Sequence, residues 1–234
     1  MNIGASVVPV TRALAKNKTR FEEVYQELRA DILACKLRPG VKLQINTLAE
    51  DREISLSGVR EALSKLSAEG LVVAEPQRGF RVAPVSFEDL ADLTTTRIDI
   101  ENLCLARSIE HGGVEWETEV VGALHRLSRT DYWAIGDDRR LSEEWASAHD
   151  SLHEALVSAA DSAWRTRIRS ALFQQSERYR RLSVPVLPVA RDVQAEHRAI
   201  SEAALERKTD LACQLMKEHL LLTMDIIVRG LKLE

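Results

Sequence analysis

Residues 45–82 read INTLAEDREISLSGVREALSKLSAEGLVVAEPQRGFRV, and this stretch decides the fold. Leu48, Ala49, Ile54, Val59, Ala62, Leu63 and Leu66 recur at spacings that give two short helices an apolar face. A tight turn around Glu53, Ile54 and Ser55 separates them. The second helix, about 55–69, presents Ser55, Ser57, Arg60, Glu61 and Lys65 on its open side. Gly70 follows at the C′ position, where the chain turns left-handed. Leu71-Val72-Val73 and Phe80-Arg81-Val82 predict short strands joined by Pro76-Gln77-Arg78-Gly79. Two helices across a tight turn, then a hairpin with arginine at its tip, form a winged helix-turn-helix. That module seats one helix in a DNA major groove and lets its wing touch phosphate or the minor groove. The expected DNA contacts are Ser55, Ser57, Arg60 and Lys65 on the helix, and Arg78 and Gly79 in the wing.

Working outward, a helix is predicted from an N-cap at Thr19, with Val24, Leu28, Ile32 and Leu33 as its apolar stripe, ending at Arg38-Pro39-Gly40. Residues 1–18, basic but lacking a long apolar core, are expected to be a flexible arm, which leaves 19–84 as the winged domain. Pro84-Val85-Ser86 reads as a linker, and Ser86 with Asp89 as a capping box with a shortened acid. Beyond it only helical periodicity appears, over about 87–110, 114–129, 139–160, 162–182, 191–206 and 209–230. The expected fold is therefore mainly α, with an all-α bundle of six to seven helices over 85–234.

The 234-residue chain carries a net charge of −4, which by itself argues against a nucleic-acid partner. Its distribution argues the other way. Residues 1–85 hold 13 Lys/Arg against 10 Asp/Glu, and the remainder 19 against 26, so the basic half is the half with the winged module. No run of about 18 apolar residues is present to span a membrane. Three widely spaced cysteines, Cys35, Cys104 and Cys213, fit reduced thiols in a cytoplasmic protein better than a disulfide framework or a cysteine metal site.

The helical half holds all six histidines. His149 and His153 stand four apart on one predicted helix and share a face, while His197 and His219 lie on two others. Three helices of a bundle can converge such imidazoles on a divalent ion, zinc first, with nickel and similar ions also suited. Asp150 is placed to ligate or to orient His149, and His111 and His125 are expected at the solvated surface. Arg97 and Glu101 form an i,i+4 pair that is either a surface salt bridge or a fork for a ligand carboxylate. Arg178, Tyr179 and Arg180 are further effector candidates, with at least one of these arginines expected to be solvated. One alternative is a metal hydrolase on His149-Asp-Ser-Leu-His153. That motif needs glutamate directly after the first histidine, and Asp150 is one methylene short. Another is a metal-free bundle whose histidines bind a different organic acid.

The whole chain resembles the GntR transcription regulators of the FadR type, which carry a C-terminal FCD ligand-binding domain. LRADILACKLRPGVKLQINTLAE resembles the family's opening helix, Pro-Gly turn and second helix, and GVREALSKLSAEGLVVAEPQRGFRV its recognition helix and wing. RIDIENLCLARSI, HDSLHEALVSAA and EHRAISEAALERKTDLACQLMKEHL follow in the order of the FCD domain. The resemblance implies a homodimeric repressor on a near-palindromic operator. It also implies a divalent ion held by His153, His197 and His219 and completed by a carboxylate effector. Where the family usually has Asp as fourth ligand this chain has His149; Leu56 and Gly58 replace a common Arg and Pro, and Asn46 stands where some members have a DNA-contacting Arg. HGGVEWETEV, EEW before the first His pair, RYRRL and His149 resemble the carbon-starvation regulators of glutarate and 2-hydroxyglutarate catabolism. That likeness implies a C5 dicarboxylate inducer.

Overall fold

The computed structural model describes residues 10–183 and 191–233, and the chain divides into two compact units, Met1–Pro84 and Val85–Glu234. In the first unit the elements are α1 (Val10–Leu33), β1 (Lys42–Leu43), α2 (Ile45–Asp51), α3 (Leu56–Ala68), β2 (Val72–Glu75) and β3 (Gly79–Val82). Val24, Leu28 and Ile32 of α1 are fully buried against Val59, Leu63 and Leu66 of α3, which gives the unit its core. Helix α1 begins nine residues before the expected Thr19 cap, because TRALAK consists largely of strong helix formers and no Gly or Pro interrupts the run. The expected arm is thus helical from Val10, and its residues 1–9 lie outside the described residues.

Local chemistry sets the reading helix. Ser55 caps α3, its Oγ accepting from Gly58 N at 3.1 Å. At the other end Gly70 takes φ +72, Gly70 N donates to Ser67 O and Leu71 N donates to Leu66 O, a complete Schellman motif. The wing turns through Gln77 and Gly79, both at positive φ. The antiparallel sheet has the order β1-β3-β2, with Val72 opposite Val82 and Leu43 opposite Phe80. The short β1 is an addition to the two expected strands.

The second unit contains α4 (Phe87–His111), α5 (Val114–Ser128), β4 (Trp133–Ala134), β5 (Asp137–Leu141), α6 (Glu143–Val157), α7 (Ala163–Ser183), α8 (Val193–Leu205) and α9 (Thr209–Leu231). Helices α4, α5, α6, α8 and α9 pack around Leu105, Val120, Leu152, Leu156, Ala204 and Met216, while α7 contributes Tyr179 to a second cluster with Leu90 and Ile227. The β4–β5 hairpin replaces the start of the helix expected from 139. Ser142 caps α6 instead, its Oγ accepting from Trp145 N at 3.2 Å, and Glu143 and Glu144 complement the helix N-terminus.

The shortened acid at the start of α4 does not close a capping box. Ser86 Oγ accepts from Asp89 N, but the Asp89 carboxylate accepts from the Tyr179 hydroxyl at 2.5 Å, and that hydroxyl accepts from Ser86 N at 3.3 Å. Tyr179 therefore bridges a gap that the missing methylene leaves.

Candidate metal and effector site and the nucleic-acid face

Helix α6 supplies His149 and His153, α8 supplies His197 and α9 supplies His219. All four are buried, and one nitrogen of each lies within 4.8 Å of the others. His153 Nε2 and His197 Nε2 stand 3.3 Å apart. Two nitrogens bound to a tetrahedral ion at about 2.0–2.1 Å are separated by about 3.3 Å, so the spacing suits a metal edge. The Nδ1 atoms of His149, His153 and His197 have no hydrogen-bond partner among the described residues. Burial pushes every ring below the ordinary histidine value: His153 and His219 to about 4, His149 and His197 well below 6.5. The rings are neutral at pH 7, the state that offers a lone pair to a cation. Four buried neutral imidazoles facing one another fit a divalent ion with nitrogen preference, such as zinc or nickel.

Carboxylates stand behind the rings. Glu196 Oε2 lies 2.8 Å from His219 Nδ1 and is gripped by Arg191. Glu101 is fully buried, with Oε1 at 3.7 Å from His153 Nδ1. Burial opposes its ionisation, but His153, Arg169 and Arg97 outweigh that and hold it at about 2. Arg169 binds Glu101 at 3.0–3.2 Å and donates to His153 O at 2.8 Å, so it fixes both the acid and the backbone of the ligand turn. Asp150 stands apart from three of the rings: its half-exposed carboxylate groups with His149 and Glu177, not with His153, His197 or His219. Burial and Glu177 raise it to about 7.

A cavity of about 340 Å³ opens onto His149 and His219. Arg97, Arg180 and Arg191 line it, with Thr94, Thr223, Tyr132, Trp133 and Trp145, and Leu90, Met224 and Ile227 further along. Arg97 is buried, stacks on Phe173 at 4.7 Å, and its Nε lacks a hydrogen-bond partner among the described residues. Its Nε approaches Glu101 only to 3.8 Å. The other effector candidates lie elsewhere. Glu101 sits behind His153, Tyr179 belongs to the apolar cluster of Leu90 and Ile227, and Arg178 is buried outside the cavity lining. Successive helical residues point about 100° apart, so of 178–180 the helix turns Arg180 to the cavity. No arginine of this group is solvated: Arg178 is buried and the Arg180 side chain is 11% exposed. Sequence reasoning missed Arg191 and Arg169. His111 and His125 are exposed, as expected.

In the first unit Asn46, Ser55, Ser57, Arg60 and Arg78 are exposed, and Gly79 forms the wing turn at φ +91. Lys65 is turned to α1, where its Nζ meets Glu22 at 3.2 Å and stands 3.6 Å over the Tyr25 ring. It is the one helix candidate whose charge is already engaged among the described residues.

Residues 20–82 match the bacterial regulatory proteins of the gntR family, and residues 92–222 match the FCD domain. The chain belongs to the gntR family. It is a DNA-binding transcriptional regulator of the FadR-type arrangement, not an enzyme. The chain is 42% identical over 216 residues to the uncharacterized HTH-type transcriptional regulator BphR of Paraburkholderia xenovorans strain LB400, covering 92% of this chain and 86% of that protein. It is 32% identical over 211 residues to the HTH-type transcriptional repressor GlaR of Escherichia coli strain K12, covering 88% and 95%. Among solved structures, a gntR regulator of Rhodococcus sp. RHA1 aligns with a TM-score of 0.73 at 22% identity, over 91% of this chain and 99% of that one. Among the described residues no helix is long and apolar enough to cross a membrane.

Proposed function

We propose that this gntR-family regulator is a cytoplasmic repressor whose helical unit binds a divalent ion and an organic carboxylate, and whose DNA affinity falls when that acid binds. The observation that carries the reading is the convergence of His149, His153, His197 and His219, two of which, His149 and His219, open onto a cavity that Arg97 also lines, its Nε without a hydrogen-bond partner among the described residues. These four imidazoles would hold the ion, most readily zinc, and the ion would supply a localised positive charge for a carboxylate. Arg97 offers a planar fork to the same anion, with Arg180 and Arg191 alongside. Within this class the C5 dicarboxylates glutarate and 2-hydroxyglutarate are the candidates that the family resemblance supplies.

On DNA, α3 enters a major groove, with Ser57 and Arg60 on base edges or phosphate and Ser55 and Asn46 beside them, while Arg78 and Gly79 carry the wing to the adjacent backbone. A two-fold homodimer makes the operator a near-palindrome. The effector relieves repression only if it binds the free form more tightly than the DNA-bound form. The test is fluorescence anisotropy on the chain's own upstream DNA at fixed salt, with and without each acid, on protein of measured metal content. Specific binding released by a carboxylate, with stoichiometric metal lost in His153→Ala, supports the reading. Specific DNA binding with neither metal nor acid response refutes it.

A further inference from the structure

The cavity changes character along its length, and two helices set the gradient. On α4, Arg97, Thr94 and Leu90 follow one another toward the N-terminus at about one-turn intervals. On α9, His219, Thr223 and Ile227 follow one another toward the C-terminus in the same way. At 1.5 Å per residue each ladder runs roughly 10–12 Å, from cation or imidazole through hydroxyl to hydrocarbon. The two ladders are aligned. Their apolar ends meet in one cluster, where Leu90, Met224 and Ile227 pack together. Their polar ends meet through Glu101, which lies 3.8 Å from Arg97 and 3.7 Å from His153, and the His153 and His219 ring centroids are 5.5 Å apart.

The lining arginines all stand at the histidine end. Arg191 reaches His219 Nδ1 at 3.1 Å and Thr223 Oγ1 at 3.0 Å. Arg180 lies 5.4 Å over the Trp145 ring, which stacks on His149 at 4.9 Å. Arg97 lies 4.7 Å over Phe173, whose centroid is 5.6 Å from His153. The wall formed by Leu90, Met224 and Ile227 offers hydrocarbon and no charge.

We propose that the effector is an amphipathic organic acid, with its anionic head at the histidine end and an apolar chain or ring of about four to six carbons against Leu90, Met224 and Ile227. This rests on the reading of the cavity as a carboxylate site. A short dicarboxylate places both charges at the histidine end and leaves the hydrocarbon wall uncovered, or else carries its second charge to a wall without a cation. Each ligand methylene buried on that wall raises affinity about fourfold.

The test is calorimetric titration of the zinc-loaded full chain with butyrate, hexanoate, 3-phenylpropionate, glutarate and 2-hydroxyglutarate. Hexanoate is expected to bind about 16-fold more tightly than butyrate, by the fourfold step taken twice, and hexanoate and 3-phenylpropionate are expected to exceed glutarate. Met224→Lys, at a half-buried position, should flatten the chain-length series and raise glutarate affinity, and the wild-type series decides the matter if that variant does not fold. Glutarate binding more tightly than hexanoate, with no chain-length dependence, overturns the proposal while leaving the carboxylate site standing. Failure of all five acids overturns the carboxylate reading itself, and this inference with it.

Discussion

Arg169→Met is the sharpest test of how the histidine cluster is held. Arg169 is 2% exposed and makes three hydrogen bonds to the fully buried Glu101 carboxylate. Two routes bound the size of its effect. Glu101 sits at about 2 instead of 4.5, a shift that corresponds to about 3 kcal/mol of stabilisation at neutral pH, shared by His153, Arg169 and Arg97. Its lowered value means that this stability is complete above pH 4.5 and is lost as pH falls through about 2, so a measurement at pH 7.5 captures all of it. Independently, removing one partner of a buried ion pair costs about 3–5 kcal/mol, because the other charge stays buried alone. A loss of about 3 kcal/mol is therefore expected in chelator-treated protein. The assay is urea unfolding followed by tryptophan fluorescence, which reports on the helical unit alone, since Trp116, Trp133, Trp145 and Trp164 all lie beyond residue 85. Adding Glu101→Gln should restore more than half of the loss, because no uncompensated charge then remains. A loss below about 1 kcal/mol, or a double variant no better than the single one, would refute the reasoning.

Four further outcomes follow. Arg60→Ala should weaken operator binding by about 1–3 kcal/mol in gel shift, whereas Lys65→Ala, whose charge is tied to Glu22, should change it less than about threefold. Tyr179→Phe should lower urea stability by about 1–2 kcal/mol through the lost bond to Asp89, with carboxylate affinity unchanged in calorimetry; a changed affinity would return Tyr179 to the effector site. Gly112→Ala should cost about 1–3 kcal/mol by the same fluorescence assay, because a Cβ there meets Ser108 O at 2.6 Å and the Trp116 ring at 2.5 Å. His149→Asp should keep stoichiometric metal by elemental analysis but weaken carboxylate binding roughly tenfold, since it adds a negative charge at the anion's seat.

What the sequence disclosed divides along a physical line. The winged module was legible because its signals are local: apolar spacing, a capping serine at 55, a C′ glycine at 70 and an arginine-tipped turn all act within a few residues. The His149–His153 pair was legible for the same reason, and the approach of His197 and His219 followed from bundle packing. The β4–β5 hairpin was hidden because β4 has two residues and carries little periodicity. Gly136 at φ +77 and the Ser142-Glu143-Glu144 cap were the available signs. Arg169 was hidden because its partner Glu101 is 68 positions away. The position of Tyr179 outside the cavity lining was hidden because residue type carries no direction, and its place on α7 sends the hydroxyl to Asp89.

Charge balance supports the proposal of an anion at the histidine end of the cavity. The four imidazoles are neutral, so they bring no negative charge to whatever cation they hold. Three of the acids around them are matched: Glu101 binds Arg169, Glu177 pairs with Arg180, and Glu196 binds Arg191. The Nε of Arg97 has no hydrogen-bond partner among the described residues, and burial lowers its pKa because a charge there lacks solvent. On the proposed reading, a dication held by the rings would repel the guanidinium beside them unless an anion came between, so metal and carboxylate would each raise the affinity for the other by the same factor. An aspartate at 149 would supply part of that negative charge from the protein itself. With histidine there, the compensation falls to the ligand, and the site should discriminate against uncharged molecules more sharply than an aspartate-containing relative would.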